Sequence, residues 1–277
     1  MTPAPILERF PVQHTTLPGS DTSVGFRAST PSGEVTHVLL HGIGSGSGSW
    51  AYQLQAAQEC QQRVLAWDAP GYGASTLLTG ESPDATAYAL RLWQWLDALD
   101  VHGSVNLVGH SLGCIMAARA ALLAPHRVRA LFLLSPARGY GKADPEVREQ
   151  KLTSRLSMLH RLGPEGMARE RSAAMLSETA NEALVQAVRT TMAQVRVDGY
   201  TQATYLLNQS DLDGDLQQLH CPITVGSGGL DSITPPSSCQ AVAQGIGMPW
   251  HDMGAVGHAC PLEAAAAVNT LLGLSNQ

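Results

Sequence analysis

The sequence predicts an α/β fold, a mostly parallel central sheet flanked by helices and interrupted by an inserted helical cap. Three observations predict it. Short apolar runs recur at Val35–Leu40, Val64–Trp67, Val105–Val108, Val128–Leu134 and Ile223–Val225, each bounded by Gly, Pro, Asp or other polar residues. Runs of this kind suit strands buried on both faces of a parallel sheet. Helical patterns lie between them, and the alternation of strand and helix is the mark of the α/β class. After Ser135 the alternation stops, and it returns only at Cys221.

Taken in order, the first run, Val35–Leu40, leads into His41-Gly42-Ile43-Gly44-Ser45-Gly46-Ser47-Gly48-Ser49. By composition this is a flexible linker. By position it is a strand-to-helix loop in which glycine lets backbone amides approach a ligand, because a helical run begins near Trp50. It matches neither the G-x-G-x-x-G dinucleotide fingerprint nor a P-loop. Next, Asp84–Leu99 carries Tyr88, Leu92, Trp95, Leu96 and Leu99 at helical spacing, and Leu112–Ala124 reads as an Ala-rich amphipathic helix closed by Pro125. Between Lys142 and Gln209 strand signals vanish and charge density rises, with breaks near Gly163-Pro164 and Ser177–Asn181. The expected organisation is therefore a core of residues 1–141 and 210–277 with a helical cap at 142–209. A strand at Trp250–Asp252 and a last helix over Pro261–Leu272, stopped by Gly273, complete it.

Composition narrows the function classes. The chain has 277 residues, 44% of them apolar, and a formal charge of −6 from 23 acids and 17 bases. That is enough apolar material for one large core, and the charge argues against nucleic acid as partner. No run approaches the ~18 apolar residues of a membrane span, and Met1–Phe10 lacks the order of a secretory signal. The expected address is cytoplasmic. Five cysteines without CxxC spacing suggest reduced thiols, with neither a disulfide framework nor a zinc site.

Gly109-His110-Ser111-Leu112-Gly113 matches G-x-S-x-G, the nucleophile elbow, in which a serine sits on a strained strand-to-helix turn. Small residues two positions either side are needed because bulk would collide across the bend. A serine hydroxyl needs a base, and the base an orienting acid. Asp231, on the loop after Ile223–Val225, and His258, ahead of the last helix, both follow predicted strand ends, where α/β sheets collect ligands. Asp252 sits in a strand pattern that aims it away, and Asp213 and Asp215 read as solvated or helix-capping. His251 and His220 lie in or before strands. For the oxyanion hole the expected donors are the amides of Leu112, at a helix start, and Ile43, with Gly44 as second choice. Gly42, Gly44, His110 and Tyr140 are expected to border the substrate.

Together with Asp68-Ala69-Pro70-Gly71-Tyr72-Gly73-Ala74-Ser75, which resembles a D-x-P-G-x-G-x-S segment given a structural role only, these pieces resemble the α/β-hydrolase superfamily. The resemblance is to its short single-domain members with a helical cap. Relatives that open halogenated alkanes or epoxides carry Asp at the elbow, so Ser111 implies acyl chemistry. Carbon–carbon hydrolases of aromatic ring cleavage usually have Asn before the nucleophile and Trp after the histidine, where this chain has His110 and Ala259. Similarity is somewhat closer to enol-lactonases and small esterases, through Gly199-Tyr200, Asp211-Leu212, Cys221-Pro222 and Thr234-Pro235-Pro236. The resemblance implies hydrolysis of a small ester or lactone through Ser111, Asp231 and His258, with no metal or organic cofactor.

The alternatives are carbon–carbon bond cleavage in a vinylogous 1,5-diketone and a slow-turnover ligand receptor of the same fold. For the pocket, Tyr140, Met158, Met167, Met175, Tyr200 and Tyr205 are candidates, with core packing preferred for the Met and Tyr residues. Cys114 reads as a small buried thiol. Arg138 and Arg196 could pair with a substrate carboxylate, although a solvated surface is the preferred reading for each. The sequence leaves the oligomeric state open.

Overall fold

A computed structural model describes residues 2–275. Its strands are β1 (Gln13–Thr16), β2 (Ser23–Ala28), β3 (Val35–Leu40), β4 (Arg63–Trp67), β5 (Val105–His110), β6 (Val128–Leu134), β7 (Ile223–Ser227) and β8 (Trp250–Asp252). They form one sheet ordered β1-β2-β4-β3-β5-β6-β7-β8. The β1–β2 and β2–β4 pairs are antiparallel and every other pair is parallel. The helices are α1 (Pro3–Glu8), α2 (Ala51–Glu59), α3 (Ala85–Ala98), α4 (Leu112–Leu123), α5 (Pro145–Arg171), α6 (Glu182–Ala193), α7 (Val197–Gln209), α8 (Leu212–Leu216), α9 (Pro236–Gly245), α10 (Cys260–Glu263) and α11 (Ala265–Leu271). No helix among the described residues is long and apolar enough to cross a membrane.

The continuous apolar runs arise because both faces of the sheet are covered. Val38, Leu40, Leu65 and Leu107 point into one core, which includes α3 and α4, while Leu39, Val64, Ala66 and Val108 point into the other, against α1, α2 and α11. Helix α3 starts where Asp84 accepts a hydrogen bond from the Ala87 amide at 2.9 Å. Its buried face carries Tyr88, Leu92, Trp95 and Leu96, and Trp95 stacks on Trp67 of β4 at 6.1 Å between centroids.

The strand order reverses between β3 and β5. From β3 the chain crosses to β4 on one side, and from β5 to β6 on the other. The loops leaving the two adjacent strand ends therefore diverge and open a crevice between them. Leu40 is paired with Gly109 there, so the loop at Gly42 and the turn at Ser111 start side by side.

Residues 142–209 lie between β6 and β7 in the chain and hold α5, α6 and α7 without a strand. Helix α5 kinks at Gly163 (φ 63°, ψ 175°), directly before Pro164, a conformation that glycine tolerates and other residues do not. Asn181 caps α6 by accepting from the Leu184 amide at 3.0 Å. Leu184, Val188 and Met192 pack with Leu176, Ala259 and Leu262, which ties the insertion to the segment after β8.

Several expectations are corrected. Helix α4 is not amphipathic: Leu112, Cys114, Ile115, Met116, Ala117, Ala118, Ala120 and Ala121 are all buried, because the helix is enclosed by the sheet, α3 and α8. The last helix is two pieces, α10 and α11, broken at Ala264 (φ −114°, ψ 41°). Asp215 is neither solvated nor a cap. It is buried and takes both Nε and Nη2 of Arg119, at 3.0 and 2.6 Å, while Asp211 caps α8. Strands β1 and β2 and helices α1, α8 and α9 are not among the elements expected from the apolar runs, although Val24, Phe26 and Ala28 alternate in β2.

Candidate active site

Ser111 follows β5 directly and has φ 54° and ψ −116°, a strained conformation for a residue with a Cβ. The turn exists only because its neighbours lack side chains. A Cβ on Gly109 would lie 2.5 Å from Cys114 Cα, and one on Gly113 would lie 2.0 Å from the Leu40 carbonyl oxygen. A Cβ on Gly42 would come within 2.9 Å of Ser111 Cβ, so the β3 loop passes directly over the serine. The turn is tied to β6 through the Ser111 amide, which donates to Leu134 O at 2.9 Å.

Asp231 and His258, on the loops that follow the neighbouring strands β7 and β8, meet each other. His258 Nδ1 lies 2.9 Å from Asp231 Oδ2, and both side chains are buried. The other carboxylate oxygen, Oδ1, accepts the amides of Ile233 and Thr234 at 2.8 and 2.9 Å. The Thr234 hydroxyl donates to Oδ2 at 2.9 Å. Burial acts to raise this carboxyl, but the hydrogen bond and charge of His258, followed by the Thr234 contacts, outweigh it and hold the group down at about 2. It is therefore ionised at neutral pH, facing an imidazole whose Nε2 is left for other work.

His258 and Ser111 line the same cleft of about 540 Å³, together with Ile43, Leu112 and Tyr140. Among the described residues no hydrogen bond joins the serine hydroxyl to the histidine. The amides of Ile43 and Leu112 likewise have no acceptor among the described residues. At Leu112 this follows from its position as first residue of α4, where helix amides are left unpaired. Gly42, Gly44 and His110 border a smaller adjoining cavity of about 50 Å³ with Ser111 and His258.

His110 does more than border it. Its Nε2 lies 2.8 Å from the His258 carbonyl oxygen, and burial, with the neighbouring His258, pushes its pKa down to about 3. As a neutral ring it donates Nε2–H to that oxygen and ties the elbow to the His258 loop. His41 plays a similar part on the other side. Its Nδ1 lies 2.8 Å from Gly42 O, and its Nε2 accepts from the Ala69 amide at 3.0 Å, with burial pushing its pKa down. The Asp68–Ser75 segment serves as a brace. Asp68 Oδ1 accepts from the Ser47 amide at 2.7 Å, and the Ser75 hydroxyl donates to Asp68 O at 2.7 Å.

The remaining candidates separate. Asp252 is exposed and accepts from the Gly254 amide. Cys114 is buried with its thiol on Gly109 O at 3.2 Å, and burial pushes it well up. Met158, Met167, Met175 and Tyr200 line the cleft, whereas Tyr205 is not among its walls. Arg138 lines it and pairs with Asp213 through Nε at 2.8 Å. Arg196 instead donates to Ser75 O at 3.0 Å. Residues that the sequence does not single out are Thr234, whose amide and hydroxyl both reach the Asp231 carboxylate beyond the Asx-turn that Asp231 makes with the Ile233 amide two residues on, and Lys151, Arg155 and Arg171, which join Arg138 on the cleft wall. No three His, Cys, Asp or Glu side chains among the described residues could hold a metal ion.

A family model described as alpha/beta hydrolase fold matches residues 38–264. Among relatives, a Klebsiella pneumoniae protein provisionally named carbamate hydrolase RutD is 30% identical over 258 residues, covering 86% of this chain and 90% of its own. The Caenorhabditis elegans abhydrolase domain-containing protein abhd-5.2 is 39% identical over 121 residues, 43% of this chain. The match spans only 26% of that longer protein. The solved structure of a thermophilic esterase from Thermogutta terrifontis superposes with a TM-score of 0.81 at 22% identity, covering 96% of this chain and all of the other, a likeness of fold.

Proposed function

The chain belongs to the alpha/beta hydrolase family, and from that premise we propose that it is a serine hydrolase of small carboxylic esters or lactones, working through an acyl-enzyme on Ser111. One observation carries the reading. A serine in a strained elbow conformation shares a cleft with an imidazole whose Nδ1 is held by an ionised, four-times hydrogen-bonded carboxylate.

The chemistry follows from the groups. Ser111 Oγ attacks the carbonyl carbon as His258 Nε2 takes its proton, and Asp231 stabilises the imidazolium without itself becoming protonated. The oxyanion that forms is placed for the amides of Ile43 and Leu112, each worth about 10²- to 10³-fold in kcat for donors of this kind. His258 then protonates the leaving alkoxide, and the C–O bond breaks. Water, deprotonated by the same nitrogen, releases the acid and restores the serine. The serine and histidine come into hydrogen-bond range in the substrate complex, since such contacts are often long in the free enzyme.

The test is multiple-turnover hydrolysis of short p-nitrophenyl esters and simple lactones, run beside a carbamate and a vinylogous 1,5-diketone. The expected result is ester or lactone turnover that falls by at least about 10⁴-fold in Ser111→Ala. Turnover that survives the substitution, or that is confined to the diketone, overturns the reading.

A further inference from the structure

The charged lining of the cleft is of one sense only. Arg138, Lys151, Arg155 and Arg171 line it, and among the described residues no Asp or Glu does, although the chain carries 23 acids against 17 bases. The bias is built by helix α5. Lys151, Ser154, Arg155 and Met158 stand at i, i+3, i+4 and i+7, which is one helical face, and all four border the cleft. The acids of the same helix lie elsewhere: Glu149 accepts from the Thr153 hydroxyl at 2.9 Å, and Glu165 pairs with Arg169. Beyond the kink at Gly163, Arg171 brings a further cation to the same cleft.

Partners for these cations are few. Arg138 pairs with Asp213, and Arg155 donates to the Tyr200 hydroxyl at 3.1 Å, a neutral partner. Lys151 and Arg171 have neither a carboxylate nor a hydrogen-bond partner among the described residues, and both are exposed. Cations arranged around a concave, partly desolvated space focus positive potential into it and raise the local concentration of anions. Guanidinium groups also match carboxylate geometry with paired hydrogen bonds. A neutral acyl chain would gain nothing from these charges.

We propose that the substrate is an anionic ester or lactone, bearing a carboxylate that lies under α5 against Lys151, Arg155 and Arg171 while its scissile carbonyl reaches Ser111. This rests on the serine-hydrolase reading and adds to it the charge of the substrate.

The experiment compares p-nitrophenyl hydrogen glutarate with p-nitrophenyl valerate, whose acyl chains differ by a terminal carboxylate against a methyl group. The wild-type protein should favour the glutarate ester by about tenfold or more in kcat/KM, with the preference shrinking as salt is added. The Lys151→Gln/Arg171→Gln double variant changes two exposed side chains, so folding is spared. It should lower the glutarate-to-valerate ratio about tenfold, through KM. A wild-type ratio at or below one, or a ratio unmoved by the double substitution, overturns the proposal. If neither ester is turned over, the serine-hydrolase reading fails, and glutarate itself then decides the anion site. A rise in Tm with millimolar glutarate that the double variant loses supports the site, and no rise overturns it.

Discussion

The floor and the roof of the cleft are built on different principles. The floor, made by the ends of β3 and β5 and the loops bearing Asp231 and His258, is fixed by backbone. Its glycines admit no Cβ, its imidazoles at 41 and 110 are buried and their pKa values depressed, and the Asp231 carboxylate is saturated with donors. The roof, made by α5 to α7, meets the cleft through Met, Tyr, Arg and Lys side chains, many of them half-buried or exposed. On the proposed reading, the fixed floor sets what bond is broken and the roof sets whose bond it is.

Substitutions on the floor should therefore act on the chemical step and on folding, and those on the roof on binding. The largest expected effect beyond Ser111 is at Asp231→Asn. It should lower kcat about 10⁴-fold with little change in KM, the size of loss seen when the triad acid of a serine protease is amidated. The same variant has a pH signature. Because the folded carboxyl lies near 2, below its ordinary 3.8, its contribution to stability is complete above the ordinary value and is lost as pH falls through the folded one. Urea midpoints of wild type and variant should thus converge between about pH 5 and about pH 2. A gap that is constant with pH would show that the carboxylate's hydrogen bonds contribute nothing to folding.

Next in size is Gly113→Ala. Its methyl would lie 2.0 Å from the Leu40 carbonyl oxygen, a backbone atom that cannot rotate away. The cost should be about 3 kcal/mol or more, read as a lower denaturation midpoint. Wild-type stability in this variant would mean that the floor is less rigid than described.

The smallest effect is expected on the roof. Met158→Ala, which removes a half-buried side chain from the cleft wall, should raise KM about fivefold with kcat within about twofold, roughly 1 kcal/mol of lost contact. A large fall in kcat with KM unchanged would erase the distinction between the two regions.

The same division governs what the sequence makes legible. Strands β3 to β7 can be read because burial on both faces leaves uninterrupted apolar runs, and the elbow because sterics permit only glycine at 109 and 113. Asp231 and His258 can be picked out because each follows a strand end. Helix α4 could be placed but its surroundings could not, since an Ala-rich helix enclosed on all sides looks like one buried along a single face. Strand β1 is invisible because Gln13–Thr16 is polar and mostly exposed, so no run or alternation marks it, and the alternation of Val24, Phe26 and Ala28 in β2 is too short to stand out beside the continuous runs. The cationic face of α5 escapes for another reason. Its charges are mixed along the chain, and only the helical phase relative to the cleft sorts bases from acids.

The hydrogen bond from the His110 ring to the His258 carbonyl has one more consequence. It joins the residue before Ser111 to the backbone of His258 through one N–H···O contact, instead of around the 148 residues that separate His110 from His258 in the chain. The elbow and the His258 loop are thereby tethered to each other directly, and a shift of either that would stretch this contact is opposed by it.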